Sequence, residues 1–359
     1  MPQPLAVGWV GGADTFTTLG GALKPAGVGL VMDELVSLTA LCPRGADPRD
    51  LPGAPVDVIE YALPWGWRLR TGALGPLADE IHKREIRLLH ALDESAAALT
   101  CALAERARVG YVVSVYGIAL GRAAAAVGQA AAVLPAGQAV RAELLARGIC
   151  GDERMRPIAL GLRQAKQATC FREPRYDISI VAGGRMDDFA AFAAVLRSFA
   201  ELHERKYACA FFLMGNGRAE KALRAYADKL GLRRVLQFVD RQSPGHLAAI
   251  LTAADLYITP AATEAVDVPA LHAMAAGVPV IAAHGALGDF LVEGQTAMFF
   301  QPGDSDELTI KLVSLVDDRA AARDLAEKAL AALGEPYTPT RMVASLVAVY
   351  RGVAGDATG

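Results

Sequence analysis

Short apolar runs of strand length alternate with stretches of helical periodicity along nearly the whole chain, and no other feature narrows its fold as much. Leu5–Val10, Leu35–Cys42, Val56–Tyr61, Ile86–Ala91, Tyr111–Val115 and Ala131–Pro135 read as strands. Helices over Ala78–Arg84, Glu94–Arg108 and Gln138–Arg147 lie among them, and Pro157–Gly161 completes a first half. Strands that return to one sheet through helices run parallel, with the helices covering its faces. Gly20, Gly21, Pro25 and Gly27 leave the segment after the first strand without an assignment.

Leu162–Tyr176 is polar and irregular, the composition of a linker, and beyond it the pattern starts again. Strands are predicted over Ile178–Ala182, Cys209–Met214, Val235–Val239, Leu256–Thr259, Val278–Ile281 and Ala297–Phe300. The helices of this half are Asp188–Arg205, Ala219–Leu230, Gly245–Ala253, Ala270–Ala276, Asp306–Val316 and Arg319–Leu333. A last helix, Thr340–Val353, follows a unit that is already complete. The 359 residues leave room for two domains of ordinary size. The expected division is 1–161, a linker over 162–176, a second domain over 177–339, and 340–359 as a returning helix and tail.

Composition excludes several classes. Thirty-six Lys+Arg against 39 Asp+Glu give a net charge of -3, which argues against a dedicated nucleic-acid binder. With 53% hydrophobic and 21% charged residues the chain is globular. The most apolar run, Ala123–Val140, is interrupted by Gly128, Gln129, Pro135 and Gly137, and is a poor bilayer span. No signal-peptide pattern opens the chain, so a cytoplasmic location is expected. His82, Lys83, Arg84 and Arg87 leave peripheral contact with an anionic surface open, although Asp79, Glu80 and Glu85 intersperse them as on a solvated face. Five scattered cysteines lack metal-ligand spacing and are read as free thiols. Trp65-Gly66-Trp67-Arg68 could stack on a sugar or base, or cap a domain edge.

The richest stretch is Ala262–Ala283, ATEAVDVPALHAMAAGVPVIAA. A polar loop with Thr263-Glu264 runs into Pro269, whose fixed φ suits a first helical turn, and the short helix stops at Gly277 before a buried strand. Such a helix start presents N–H groups to an anion. Gly11-Gly12 after the first strand, Gly184-Arg185 and Gly215-Asn216-Gly217-Arg218 occupy comparable strand ends. Each fits either close backbone approach to a ligand or plain turn chemistry.

The Pro269, Ala273-Met274-Ala275, Gly277-Val278-Pro279 frame resembles the donor-binding segment of the family 4 retaining glycosyltransferases, which have the GT-B fold. The resemblance covers nearly the whole chain and is strongest from about Ile178 to Leu330. It implies two Rossmann-like, doubly wound parallel-sheet domains facing a cleft, with the C-terminal helix crossing back to the first. It also implies a nucleoside diphosphate sugar as donor, an unidentified glycan, lipid or small-molecule acceptor, no cofactor and no metal. By the same resemblance Arg185 binds the diphosphate, Glu264 orients the donor sugar, and Gly184, Gly215, Asn216 and Gly217 lie beside the nucleotide. Ala265, Val266, Asp267 and Val268 form the loop at the phosphates. Gly11 and Gly12 join the nucleotide-binding candidates on their own position, a glycine pair after the first strand.

Several positions depart from the family pattern. Ala190 stands where the family has a lysine, Tyr116 where it has a histidine, Asp267 where it has glycine, and His272 where a glutamate holds the ribose. A neutral imidazole can still exchange one hydrogen bond with a hydroxyl, or be satisfied within the protein. Asp267 must turn away from a diphosphate, recruit a cation or weaken anion binding, because like charges at ~4 Å repel by roughly 4 kcal/mol at an effective dielectric near 20. The leading expectation is a retaining hexosyltransferase. A weak or inactive protein of the same fold that binds a nucleotide, glycan or partner is the main alternative, and an epimerase on this fold is a third.

Overall fold

A computed structural model of the chain describes residues 4–12, 14–32, 34–45, 56–63, 72–172, 177–239 and 244–356. The chain divides into unit 1, Met1–Leu162 with Glu335–Gly359, and unit 2, Arg163–Gly334. The Trp65–Arg68 loop lies outside the described residues.

Unit 1 contains β1 (Leu5–Val10), α1 (Thr15–Met32), β2 (Val36–Pro43), β3 (Asp57–Tyr61), α2 (Gly75–Lys83) and β4 (Leu88–Ala91). It continues with α3 (Glu94–Ala107), β5 (Gly110–Val115), α4 (Ala124–Gln129), β6 (Ala132–Pro135) and α5 (Gln138–Ala146). Unit 2 opens with β7 (Ile178–Gly183), α6 (Phe189–Glu204), β8 (Cys209–Met214), α7 (Glu220–Lys229), β9 (Leu236–Val239) and α8 (Pro244–Thr252). It closes with β10 (Leu256–Thr259), α9 (Val268–Ala275), β11 (Val280–Ala283), β12 (Ala297–Phe300), α10 (Ser305–Asp317) and α11 (Arg319–Leu333). The last helix, α12 (Pro339–Asp356), belongs to unit 1, where it packs on α1.

The unit 1 sheet runs β3-β2-β1-β4-β5-β6 and the unit 2 sheet β12-β11-β10-β7-β8-β9, every pair parallel. Counted from its own first strand, each sheet has the order 3-2-1-4-5-6 of a doubly wound Rossmann fold. The order reverses between β1 and β4 and between β7 and β10. Outside the carboxyl ends of those strand pairs, the flanking loops diverge and leave room for a ligand.

The glycine- and proline-containing segment that resisted assignment is the helix α1. Phe16, Leu19, Leu23, Ala26 and Leu30 recur at helical spacing and are buried, and this packing outweighs the roughly 1 kcal/mol per glycine and 3 kcal/mol for proline that a helix interior costs. Two glycines serve close approach: a Cβ on Gly27 would lie 3.4 Å from Trp9, and one on Gly29 would lie 3.0 Å from Val343 of α12.

Two expectations need correction. Pro157–Gly161, expected to complete the first half, adds no strand to the sheet but runs beside β6, with Arg156 N–H on the Val133 carbonyl (2.8 Å) and Ile158 N–H on that of Pro135 (2.9 Å). The stretch expected to be a linker is built into unit 2 as far as residue 171. Ala165 N–H donates to Ala275 O (2.7 Å), Thr169 N–H to Gly277 O (2.8 Å) and Thr169 Oγ1 to Ala276 O (2.7 Å). These bonds satisfy carbonyls that the end of α9 leaves without intrahelical partners, and Cys170 and Phe171 enter the core. The polarity that suggested a linker serves a helix C-terminus.

Candidate functional site

The unit 2 switch point is built on glycine. Gly184 follows β7 at φ +148° and Gly215 follows β8 at φ +129°, a region L side chains rarely adopt. A Cβ on Gly215 would collide with the Gly184 carbonyl, and one on Gly217 with the carbonyl of Met186. The two loops are stitched together by Gly184 N–H to Met214 O (3.1 Å) and Met186 N–H to Asn216 O (2.9 Å). The glycines are therefore required first by one loop lying on the other. The consequence is a flat backbone floor on which Gly184, Arg185, Asn216 and Arg218 stand exposed.

Asp187 gathers the charges above this floor. It accepts from Arg185 Nε (3.0 Å) and pairs with its Nη2 (2.8 Å), accepts from Arg218 N–H (3.0 Å) and lies 3.7 Å from Arg218 Nε. The Arg218 amide and the Arg185 guanidinium hold its carboxyl below the usual range. The arginine side chains nonetheless stay 80% and 87% exposed, so two cations stand ready for a stronger anion. Ala190, in the first turn of α6, brings no charge, and its N–H is taken by the Asp188 cap (2.9 Å).

On the other side of the switch, the loop after β10 is tied to the loop after β11. Thr263 N–H donates to Gly285 O (3.1 Å), Leu287 N–H to Thr263 Oγ1 (2.9 Å) and Asp267 N–H to Leu287 O (3.0 Å). Glu264 and Ala265 stand exposed between these ties, while Val266 is half-buried and Val268 buried with its N–H on Val266 O (2.9 Å). One expected ligand proves to be something else. Asp267 turns inward as the N-cap of α9: one oxygen takes Ala270 N–H (2.9 Å), the other the Thr259 hydroxyl (2.8 Å), and burial pushes its carboxyl up. A bound anion would have to share the α9 start with that carboxylate, so Asp267 corrects to a structural cap. His272 is buried, and its Nε2 has no hydrogen-bond partner among the described residues. Burial lowers its pKa to about 4, so it is a neutral imidazole with one nitrogen unsatisfied, a state that costs about 1–3 kcal/mol until something meets it.

The unit 1 switch point has the opposite chemistry. Gly11 and Gly12 do follow β1, but their polar groups are spent within the protein: Gly11 N–H on Leu41 O (3.0 Å), Gly11 O from Tyr61 Oη (2.9 Å), Gly12 N–H on Thr15 Oγ1 (2.6 Å). The Thr15 hydroxyl donates to Asp93, the N-cap of α3, which also accepts from Ser95 and Ala96. Beside it Glu94 takes the Tyr116 N–H (3.1 Å) and that of Gly117, and burial raises its carboxyl. A diphosphate here would meet two carboxylates, and the N–H groups of Gly11 and Gly12 are both engaged, which argues against their assignment to nucleotide binding. Asp93 and Glu94 are what the sequence reading missed. The Asp-Glu-Ser run at a strand-to-helix junction was the available signal.

Two of the basic residues at the end of α2 are paired locally with Glu80, Lys83 at 3.7 Å and Arg84 in contact. Among the described residues no helix is long and apolar enough to cross a membrane.

Fold and site together define a protein of two Rossmann-type units with an anion-ready switch point in the second. Comparison with known proteins sharpens this: residues 173–331, nearly all of unit 2, match the family Glycosyl transferases group 1. A D-inositol 3-phosphate glycosyltransferase of Rhodococcus opacus is 33% identical over 184 residues, 49% of this chain and 40% of that protein. An MMP alpha-(1->4)-mannosyltransferase of Mycolicibacterium hassiacum is 32% identical over 137 residues, 38% of this chain and 32% of that protein. The chain spans less than half the length of these curated relatives. Among solved structures, Anabaena HepE in complex with UDP and glucose aligns with a TM-score of 0.76 at 17% identity, over 96% of this chain and 98% of HepE. The sucrose-phosphate synthase of Thermosynechococcus elongatus gives 0.73 at 14% identity, over 98% and 100%. The fold is that of the GT-B enzymes.

Proposed function

We propose that the chain transfers a hexose from a nucleoside diphosphate sugar to an acceptor hydroxyl with retention of configuration, the donor seated at the unit 2 switch point. One observation carries the reading: Arg185 and Arg218 stand exposed at adjoining strand ends, gathered by Asp187 over a glycine floor. A diphosphate brings more charge and more acceptor oxygens than Asp187 offers, so it displaces that carboxylate from the guanidiniums. As the glycosidic bond breaks, charge accumulates on the leaving diphosphate, and fixed cations lower the barrier because they act most strongly on charge that develops in the transition state. The reading gives this neutralisation to the arginines rather than to a metal. Glu264, exposed in the loop opposite, orients the sugar, and the unsatisfied His272 Nε2 meets a ribose hydroxyl as a neutral group. The acceptor is assigned to unit 1.

HepE is solved with UDP and glucose, which makes UDP-glucose the first donor to try. The test is calorimetry with UDP, GDP, ADP and their sugar conjugates, followed by a product assay on the wild type and Glu264→Gln. Glu264→Gln should lower kcat more than it lowers nucleotide affinity, because its carboxylate faces the sugar and not the base or phosphates. A wild type silent across the donor panel, with acceptors present, would overturn the enzyme. It would favour a nucleotide- or glycan-binding protein, a reading to which the Asp267 carboxylate at the α9 start and the missing lysine at Ala190 lend weight.

A further inference from the structure

The unit 2 sheet ends in a strand whose outer edge is open. β9 pairs with β8 on one side only. Phe211 N–H on Val235 O (2.8 Å) and Gly215 N–H on Val239 O (3.0 Å) show which residues face β8. In a parallel ladder alternate residues turn both backbone groups to the same neighbour, so Val235, Gln237 and Val239 are spent on β8 and Leu236 and Phe238 face outward. The N–H and C=O groups of Leu236 and Phe238 form no hydrogen bond among the described residues. β6, an outermost strand of unit 1, differs: Arg156 N–H on Val133 O and Ile158 N–H on Pro135 O close its outer edge.

Beside the open edge lies a groove of about 360 Å3, lined by Arg224 and Asp228 of α7, Arg233 of the 3-10 turn Leu232–Arg234, and Leu236, Gln237 and Phe238. None of the residues assigned to the donor lines it. The Arg224 guanidinium lies 4.3 Å from the Phe238 ring centroid and also holds Glu220 (2.8 Å). Arg233 is exposed and has no ion-pair partner among the described residues. From Glu220 to Arg234 the chain places five Lys and Arg against Glu220 and Asp228, so the rim of the groove is basic. Strands kept from pairing usually carry a charge or a proline, and Leu236–Val239 carries neither.

We propose that β9 takes up an extended acidic segment of a partner protein as a further strand, its backbone pairing with Leu236 and Phe238 and a carboxylate in the groove meeting Arg233. Side chains of an added strand alternate between faces, so those on the α7 side enter the groove at intervals of about 7 Å. Main-chain bonds supply affinity whatever the sequence, and the basic rim selects the sign of the charge. A second copy of this chain is a poorer occupant, because two-fold pairing of β9 with itself brings two basic rims together. The site stands independently of the glycosyltransferase reading.

The experiment titrates the 15N-labelled full chain with blocked hexapeptides that alternate glutamate with aliphatic or aromatic residues. Saturating peptide should slow exchange of the Leu236 and Phe238 N–H groups at least about tenfold. Gln237 and Val239, already bonded to β8, should stay within roughly twofold. The same peptides N-methylated on alternate residues keep their charge and lose the ladder, and should bind at least about tenfold more weakly. Lysine in place of glutamate, or Arg233→Glu at its exposed position, should weaken binding by as much. Failure of every acidic peptide to bind at millimolar concentration overturns the site. Equal affinity of plain and N-methylated peptides makes it a basic patch without strand addition, and overturns it as well. Protection of Leu236 and Phe238 that rises with protein concentration in the absence of peptide gives the edge to a second copy instead.

Discussion

The two units share one strand order and differ in what they put at its reversal. In each, the helix after the fourth strand is capped by an aspartate that also holds a threonine hydroxyl, Asp93 with Thr15 in unit 1 and Asp267 with Thr259 in unit 2. In unit 1 the cap is half-buried beside Glu94, and the first turn is closed by Phe16 and Ser95 packed against Gly11 and Gly12. In unit 2 the cap is buried, the glycine loops lie flat, and two arginines stand in solvent. Topology thus supplies a place for a ligand twice, while a handful of side chains decides that one place is acidic and rich in hydroxyls and the other basic.

The sharpest way to test the comparison is at the turns. Gly215→Ala combines positive φ with a clash against the Gly184 backbone, which cannot move aside, and should destabilise unit 2 by about 3 kcal/mol or more. The matching Gly12→Ala meets side-chain oxygens rather than backbone, Ser95 Oγ, which can rotate, and Thr15 Oγ1 at 3.3 Å, and should cost about 1 kcal/mol. Urea unfolding read by unit-resolved hydrogen exchange measures both, and equal costs would erase the distinction.

Acid should act on both units through one histidine each. His90 falls to about 3 and His272 to about 4, against 6.5 unfolded, so the unfolded chain binds the extra protons as pH drops. That stability is fully present above pH 6.5 and is lost as pH falls from 6.5 toward those values. At pH 4.5 each unit should have lost about 2–3 kcal/mol from this source. His272→Gln should flatten the unit 2 dependence and leave that of unit 1, as seen in exchange rates at pH 7 and 4.5.

Arg185→Ala should weaken UDP binding by roughly 1.5–3 kcal/mol in calorimetry, as for a lost charged hydrogen bond. Arg84→Ala in unit 1, already matched by Glu80, should leave it unchanged. The smallest effect concerns the caps. Asp267→Asn keeps a cap and removes a buried charge from the α9 start, so UDP affinity should rise a few-fold, about 0.5–1 kcal/mol. Asp93→Asn should not alter UDP affinity, and a rise there would place nucleotide in unit 1.

Much of this was legible beforehand. β1, β8, β10, β12 and α11 stand where periodicity put them, because apolar runs between turn residues leave few other structures. The strand ends were found from glycine, proline and spacing, and the family resemblance singled out Arg185 and Glu264 there. α1 was not, because Gly20, Gly21 and Pro25 argue locally against a helix that only its burial against Trp9 and α12 supports. Nor were the roles of Asp267 and Gly12, since a residue type does not say whether its polar group is already engaged.

The sequence by itself determined the alternation of strand and helix, hence two parallel sheets, and the residue types at their loops, because these depend on contacts a few residues apart. Only the tertiary structure decided which of those residues remain free to act. Asp93 meets Thr15 across 78 positions, His90 meets Tyr350 across 260, and Gly215 lies on Gly184. Hydrogen-bond partners at such separations are fixed by packing, and a group already bonded has that much less to offer a ligand.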